Sequence, residues 1–264
     1  MPDILLTNDD GYNSAGFFPL LKELSRHFSV FSITPDLEKS WIGKAITTKK
    51  ELKIKKIKKE NYEIILVNGN PADCVQIGFY NILEKKPKLV LSGINQGSNV
   101  GSARILSSGT IGAAMESSIE GVFSIASSLR IPKQIKKTLN LFDEKNYVYF
   151  ENAAKITAKL TRILIDKKFD SKVDLFSINI PFDATLESDI AITKPFKDPY
   201  GQLFHLKENG SLYHKTPRLE FKNLKKGTDL KALSEGKISI TPISLDLVSK
   251  NNLDKVERLI TDSW

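Results

Sequence analysis

The sequence predicts an α/β protein whose mostly parallel sheet carries helices on both faces. Short apolar runs typical of buried strands alternate along the chain with segments whose apolar residues recur at helical spacing. Strand followed by helix and then strand is the repeating order of such sheets. Polar loops follow several of the predicted strands, and parallel strands open their loops at one edge. A ligand site is therefore expected at the carboxyl edge of the sheet.

The strands predicted in the first half are short, apolar and bounded by turn-forming residues. Helices are predicted where apolar residues recur three and four positions apart, and one of them has proline at its start. Alternating apolar and polar residues over 45–67 predict a hairpin or additional strands. The predicted strands are 3–7, 28–33, 88–93 and 122–129, and the predicted helices are 15–27, 71–83 and 110–121.

The second half is predicted to change character after a long amphipathic helix over 146–168 and a strand over 174–181. Short alternating runs and turn signals then predict a β-rich segment, which includes the run ISITPI at 238–243. A last short helix is predicted over 252–260. The expected organisation is an α/β core over 1–181, a β-rich arm over 182–247 that reaches a partner subunit, and a C-terminal helix over 248–264.

Composition places the 264-residue chain among soluble globular proteins, with 41% apolar and 27% charged residues. No apolar run approaches the roughly 20 residues that cross a bilayer, so no membrane partner is expected. The first residues, MPDILLTNDD, lack the features of a secretory signal. Cys74 is the sole cysteine, which excludes an internal disulfide and favours a cytoplasmic location.

A net charge of +8 allows two interpretations. A basic surface can bind nucleic acid, or it can steer small phosphorylated anions towards a site. The lysines are spread along the chain, as in KKELKIKKIKKE at 49–60, without the aromatic interleaving of RNA-binding sheets. A general lysine coat is the preferred interpretation, with no specific nucleic-acid partner, and a nucleic-acid-binding protein remains an alternative.

The stretch LLTNDDGYNSAG brings two adjacent carboxylates, Asp9 and Asp10, to the end of the first predicted strand. Neighbouring carboxylates repel each other unless a positive group lies between them. Ser40 follows the second strand and Asn95 follows the strand KLVL, so all four side chains can converge. Carboxylate, hydroxyl and amide oxygens suit Mg²⁺, Mn²⁺ or Ca²⁺. The competing interpretation is a simple turn with a helix N-cap.

A glycine-rich stretch with small hydroxyl residues leads into the helix that starts near Thr110. Backbone N–H groups at a helix N-terminus can bind an anion without a lysine. The stretch matches neither G-x-x-x-x-G-K-[ST] nor G-x-G-x-x-G, so it supports neither a P-loop nor a dinucleotide fold. Beside an acidic metal site it would form the other half of a phosphate pocket, although glycine-rich loops are common.

Three further residues near these motifs have structural interpretations that need no catalytic role. Asp73 is expected to favour a helix N-terminus, and Cys74 is expected in the core rather than as a nucleophile. Trp41, beside Ser40, is either an aromatic that faces the substrate or a plug.

These motifs resemble the SurE (survival protein E) family of metal-dependent nucleoside 5′-monophosphate phosphatases. ILLTNDDGYNSAG, LVLSGINQGSNVG and SSGTIGAAME carry the resemblance, which runs from Asp3 to about Leu247. It implies a Rossmann-like fold and a homodimer or homotetramer whose C-terminal parts exchange elements. It also implies roles for the residues at the motif positions: Asp9, Asp10, Ser40 and Asn95 as ligands of one divalent cation, and Asn99, Ser108, Gly109 and Thr110 around the phosphate.

Three departures from the family pattern affect the expected substrate pocket. Asn70 stands where threonine is usual, Ser107 where tyrosine is usual, and the bulky Trp41 where small residues are usual. The hypothesis is therefore a 5′-nucleotidase with an unknown base preference, in which Asp9 and Asp10 are the catalytic residues. A phosphate-sensing receiver-like module is the alternative from another class, but the loop after LVL lacks its phosphoacceptor aspartate.

Overall fold

The computed structural model describes residues 1–169, 173–197, 199–216, 221, 223–247 and 252–262. Among these residues, nine strands form one sheet and two strands form a separate hairpin. The strands are β1 Ile4–Thr7, β2 Val30–Pro35, β3 Ile54–Lys59, β4 Tyr62–Val67, β5 Leu89–Asn95, β6 Ser124–Arg130, β7 Leu175–Pro181, β8 Ile190–Ile192, β9 Phe204–Leu206, β10 Leu212–His214 and β11 Ile238–Ile243.

The large sheet has the strand order β3-β4-β2-β1-β5-β6-β7-β11-β8. β1 lies near its middle and is completely buried, with Ile4 opposite Val30 on one side and Leu89 on the other. In the order of this sheet, the strands from β4 through β2, β1, β5 and β6 to β7 run parallel. β3 joins β4 and β11 joins β7 in antiparallel pairs. The prediction of a mostly parallel α/β sheet is confirmed.

Helices cover both faces of this sheet, as the alternation of elements predicts. In the described ranges, no helix has the length and the apolar character that crossing a membrane would need. The helices are α1 Phe17–Leu24, α2 Pro71–Ile77, α3 Ser102–Ser107, α4 Gly109–Ile119, α5 Lys133–Thr138, α6 Glu151–Leu164, α7 Asp229–Ser234 and α8 Leu253–Thr261, with a π-helical turn at Gly78–Ile82 and a 3₁₀ helix at Glu144–Phe150.

The core is divided between the two faces of the sheet. On one face α1 packs against α6, and Phe17, Phe18 and Phe150 are almost completely buried there. On the other face α2 packs against α4 and buries Val75 and Ala113. β1 is thus enclosed on both faces, and the loop that follows it starts from the middle of the core.

Two predicted helices differ from the observed elements. The helix expected over 71–83 ends as an α-helix at Ile77 and continues as the π-helical turn, where a Cβ on Gly78 would lie 2.6 Å from Leu5 Cδ1. The helix expected over 146–168 is a 3₁₀ helix as far as Phe150 and an α-helix only from Glu151. Apolar periodicity does not separate these helix types, since their spacings differ little over one turn.

The β-rich segment expected over 182–247 is divided between two sheets. β8 and β11 extend the main sheet, with Ser239 opposite Asn179 of β7, whereas β9 and β10 pair only with each other. Alternating residues predict a strand but not the sheet that it joins. Residues 198, 217–220, 222, 248–251 and 263–264 of the predicted arm and C-terminal helix lie outside the described residues. The domain boundaries and the role of the arm stay predictions.

Candidate active site

Two buried carboxylates follow β1 at the carboxyl edge of the sheet. Asp9 is 5% exposed, Asp10 is 6% exposed, and both line one cleft. Asn8 holds the turn that presents them, since its Nδ2 donates to the carbonyl oxygen of Gly11 at 2.9 Å. Gly11 has a φ of +83°, which glycine adopts without steric cost. The Asn-Asp-Asp-Gly sequence thus builds a tight turn with both carboxylates in the wall of the cleft.

Asp9 is held by groups that are distant in sequence. Thr110 Oγ1 donates to Asp9 Oδ1 at 2.6 Å, and the backbone N–H of Lys39 donates to the Asp9 carbonyl oxygen at 2.7 Å. Burial raises the pKa of the Asp9 carboxyl to about 6, although the hydrogen bond from Thr110 acts in the opposite direction. Asp9 is therefore fixed in position, and its negative charge is poorly solvated.

Asp10 is positioned by the loop that follows β5. The backbone N–H of Gln96 donates to Asp10 Oδ2 at 3.0 Å, and Lys136 Nζ donates to the Gln96 carbonyl oxygen at 2.7 Å. Burial, and then the charge of Asp9, raise the pKa of the Asp10 carboxyl well above its ordinary value. A cation bound between the two carboxylates would offset both effects.

Ser40 and Asn95 line the same cleft as the acidic pair. Ser40 lies in the loop after β2 and its Oγ donates to Glu38 Oε1 at 2.6 Å. Asn95 ends β5, and its Nδ2 donates to the Gly97 carbonyl oxygen at 2.7 Å, so a cation would be held through its Oδ1. The structure thus brings together all four predicted metal ligands, and it adds Glu38, which the motifs did not indicate.

The residues predicted around the phosphate occupy two layers. Asn99 and Ser108 line the cleft, and Ser108 caps α4 by accepting from the backbone N–H of Ile111 at 3.1 Å. Thr110 is fully buried behind them and is bonded to Asp9. Gly109 packs against Asp9, since a Cβ on it would lie 2.8 Å from Asp9 Cβ. Thr110 and Gly109 thus support Asp9 from behind.

The rest of the cleft is strongly basic. The whole cleft has a volume of about 940 Å³, which is large enough for a nucleotide-sized ligand. From the sequence, the lysines are interpreted as a general surface coat, and the gathering of basic side chains in this cleft is not predicted. The run KQIKK at 133–137 was the signal that could have indicated it. The basic residues in its lining are Arg104, Arg130, Lys133, Lys136 and Lys137.

The donor set fits a hard divalent cation. Among the described residues, no three or more His, Cys, Asp and Glu side chains form a metal cluster. The candidate ligands are instead two carboxylates, a hydroxyl and an amide, whose oxygens suit Mg²⁺ or Mn²⁺ and not a soft metal. The poorly solvated carboxylates of Asp9 and Asp10 provide the negative charge that such a cation needs.

Fold and cleft together define the class: an α/β protein with a mostly parallel sheet and a cleft at its carboxyl edge whose wall carries two buried carboxylates. The model of the family described as Survival protein SurE matches residues 4–202. The chain belongs to the SurE family.

Relatives and solved structures agree with this membership over nearly the whole chain. The 5′-nucleotidase SurE of Methanocaldococcus jannaschii is 39% identical over 259 residues, with 94% of each chain covered. That of Campylobacter jejuni subsp. doylei is 36% identical and covers 98% of this chain and 97% of its own. The crystal structure of the SurE protein from Aquifex aeolicus superposes with a TM-score of 0.80 at 32% identity, covering 97% of this chain and 99% of that one.

Proposed function

We propose that this protein hydrolyses nucleoside 5′-monophosphates to nucleoside and phosphate with one divalent cation, Mg²⁺ or Mn²⁺. The enzyme class follows from membership of the SurE family: the chain is a 5′-nucleotidase. The observation that carries the metal-dependent mechanism is the buried Asp9–Asp10 pair, which shares its cleft with Ser40 and Asn95. Asp9, Asp10, Ser40 and Asn95 would hold the cation.

When bound, the divalent cation supplies a Lewis acid that polarises a phosphoryl oxygen and lowers the pKa of a water molecule. The protein's own residues orient the substrate and receive a proton. Asp9 or Asp10 accepts the proton of the attacking water, since both carboxylates line the cleft. Thr110 acts through Asp9, because its hydroxyl fixes the orientation of that carboxylate.

The phosphate is proposed to lie between the acidic pair and the start of α4. Ser108 lines this part of the cleft and can donate its hydroxyl hydrogen to a phosphoryl oxygen, and the helix N-terminus at Gly109 favours negative charge. Asn99 lines it too, and its Nδ2 is directed to Ser128 Oγ at 3.0 Å and Thr110 Oγ1 at 3.4 Å. The basic side chains of α5 raise the local concentration of a dianionic substrate.

No observation favours the two alternatives. A receiver-like module would need an aspartate phosphoacceptor at the end of the corresponding strand, where this chain has Asn95. A nucleic-acid-binding protein would rest on the net charge of +8, and it predicts RNA or DNA binding that weakens steeply with salt.

We further propose a homodimer or homotetramer in the cytoplasm. Exposed apolar side chains on the β9–β10 hairpin support self-association, and the buried free thiol of Cys74 is compatible with a reducing compartment.

The experiment that tests the function is phosphate release from a panel of nucleoside 5′-monophosphates. The protein is assayed as purified, with EDTA, and after Mn²⁺ or Mg²⁺ is restored. Asp9→Asn is the test variant, and Asp183→Asn is its matched control, because Asp183 is an exposed carboxylate outside the cleft. We expect EDTA to abolish release, either metal to restore it, Asp9→Asn to lack it and Asp183→Asn to keep it.

Two results would contradict the proposal. Release that persists in EDTA would remove the metal from the mechanism. A folded protein that cleaves no nucleotide with either metal would overturn the substrate assignment.

A further inference from the structure

Trp41 has an unusual position in the wall of the cleft. It directly follows Ser40, it is 39% exposed, and its φ is +64°. A bulky residue in the left-handed region is strained by roughly 1–2 kcal/mol, and such strain is concentrated at functional sites. A large apolar ring held open to a polar cleft therefore requires an explanation.

Other rings hold the indole in place. The ring centroid of Tyr200 lies 5.1 Å from that of Trp41, and the centroid of His214 lies 4.7 Å from it. Tyr200 is itself anchored, because its hydroxyl donates to the Ala103 carbonyl oxygen at 2.5 Å. Trp41 thus rests on two side chains from the C-terminal part of the chain, and the uncovered part of its ring is available to a ligand.

We propose that Trp41 is the stacking platform for the nucleobase of the substrate, an inference that rests on the proposed function. In a nucleoside 5′-monophosphate, a single ribose joins the base to the phosphate. A base platform must therefore lie next to the groups that hold the cation, and Trp41 is the sequence neighbour of Ser40. Stacking on an aromatic ring is tolerant of base identity, since every base has a π face.

The other aromatic rings that line the cleft fit this role less well. The guanidinium of Arg130 lies 4.4 Å from the ring centroid of Phe221 and already occupies a face of that ring. Phe142 follows the loop that Gln96 contacts through the Leu141 carbonyl oxygen, and it does not adjoin a proposed metal ligand in sequence. Because Trp41 offers the largest ring, purines are expected to bind more tightly than pyrimidines.

The competing explanation is that Trp41 only fastens the β9–β10 hairpin through His214. The two explanations differ in what they predict for a substrate without a base. Ribose 5-phosphate carries the same phosphate and sugar as adenosine 5′-monophosphate, so a stacking residue affects only the nucleotide. A residue that merely holds the hairpin would affect both substrates alike.

The first test compares kinetics on these two substrates for the wild type, Trp41→Gly and Trp41→Phe. Glycine adopts a φ of +64° freely, so Trp41→Gly removes the ring without adding backbone strain, and its melting temperature checks that the fold is retained. We expect KM for adenosine 5′-monophosphate to rise about 10- to 100-fold in Trp41→Gly, and less in Trp41→Phe, with KM for ribose 5-phosphate changed less than twofold. Tyr149→Ala, which removes an exposed ring outside the cleft, is the control.

The second test does not depend on catalysis. Trp41 and Trp264 are the two tryptophans of the chain, so Trp264→Phe leaves Trp41 as the single fluorophore. We expect adenosine to quench its fluorescence in the presence of EDTA and ribose 5-phosphate to leave it unchanged. Absence of quenching, or an equal rise in KM for both substrates, would overturn the inference while the proposed function stands. If the wild type cleaves neither substrate, the proposed function fails and the quenching result alone decides whether a base binds at Trp41.

Discussion

Asp9 is the residue at which three distant parts of the chain meet. Its side chain accepts from Thr110, its carbonyl oxygen accepts from the backbone of Lys39, and Gly109 packs against its Cβ. Hydrogen bonds of this kind fix a ligand's orientation before a cation arrives. The position of Asp9 therefore depends on one hydroxyl, one backbone N–H and one glycine that lie outside the acidic turn.

Replacing Thr110 with valine tests this dependence, because valine keeps the shape of the side chain and removes the donor to Asp9 Oδ1. We expect Mn²⁺ affinity, measured by titration calorimetry, to fall by roughly 10- to 100-fold. Thr110→Ser keeps the hydroxyl and is expected to retain most of the affinity. Equal affinities in Thr110→Val and the wild type would mean that this hydrogen bond does not orient the ligand.

The sequence could predict Asp9, Asp10, Ser40 and Asn95 because each follows a predicted strand, and the structure places all four in one cleft. It could not predict that Gln96 positions Asp10, because a backbone N–H donor leaves no trace in the choice of side chain. The bond from Lys136 Nζ could not be predicted either, because its acceptor is the backbone carbonyl oxygen of Gln96.

At the scale of elements, Asp229 joins parts of the chain that the sequence leaves separate. Its carboxylate accepts from the backbone N–H groups of Gly101 at 2.7 Å, Phe196 at 2.9 Å and Leu230 at 2.7 Å. It therefore connects the start of α7 with the loop that carries Asn99. The sequence did not predict α3 or α7. Each spans only six residues, which is too short for apolar residues to repeat at helical spacing.

Replacing Asp229 with asparagine removes an acceptor, because the amide nitrogen would face a backbone N–H. We expect the free energy of unfolding, measured by urea denaturation at pH 7, to fall by about 1–3 kcal/mol. Glu235→Gln, at an exposed carboxylate beside the same helix, is the control and is expected to change it by less than about 0.5 kcal/mol. A loss no larger than that of the control would show that the three bonds add little.

The same residue gives a pH dependence with a defined sign. Burial raises the pKa of the Asp229 carboxyl, although its three N–H partners act in the opposite direction. The folded chain thus binds this proton more tightly than the unfolded chain, and the contribution to stability is fully present below the unfolded value of 3.8. It is lost as the pH rises through the raised folded pKa.

Urea denaturation at a series of pH values from about 3.5 upwards measures this contribution as the difference between the wild type and Asp229→Asn. The stability advantage of the wild type should shrink as the pH rises through that window. An advantage that grows with pH would mean that the carboxyl has a lowered pKa instead.

At the scale of the whole molecule, the β9–β10 hairpin exposes apolar side chains that a lone subunit leaves in water. Phe204 is 55% exposed, Leu206 is 71% exposed and Leu212 is 64% exposed. Deleting the whole 182–247 segment would also remove β11, which pairs with β7 in the main sheet. Point substitutions on the hairpin are therefore the sharper test of the proposed assembly.

We expect the wild type to be a dimer or tetramer by size exclusion with light scattering, and Leu206→Ser with Leu212→Ser to shift it towards the monomer. Exposed apolar area removed from water stabilises association by roughly 25 cal/mol per Å². Ile119→Ser, at a residue that is 60% exposed at the end of α4, is the control and should keep the wild-type assembly. An unchanged oligomer in the double variant would exclude the hairpin from the interface.

Local patterns of apolar residues were enough to predict the α/β architecture, because the parallel strands of the sheet are short buried runs that alternate along the chain with helices. They did not predict that ISITPI would turn back into the main sheet as β11, since strand pairing is decided by tertiary contacts.

The bond from Thr110 to Asp9 spans 101 residues, and the bond from Gln96 to Asp10 spans 86. Contacts between residues so distant in sequence require the closure of long loops, which is slow during folding. Recovery of activity in a refolding experiment would consequently lag behind the recovery of helical structure. The acidic pair is thus in place only after segments 86 and 101 residues apart in the sequence have met.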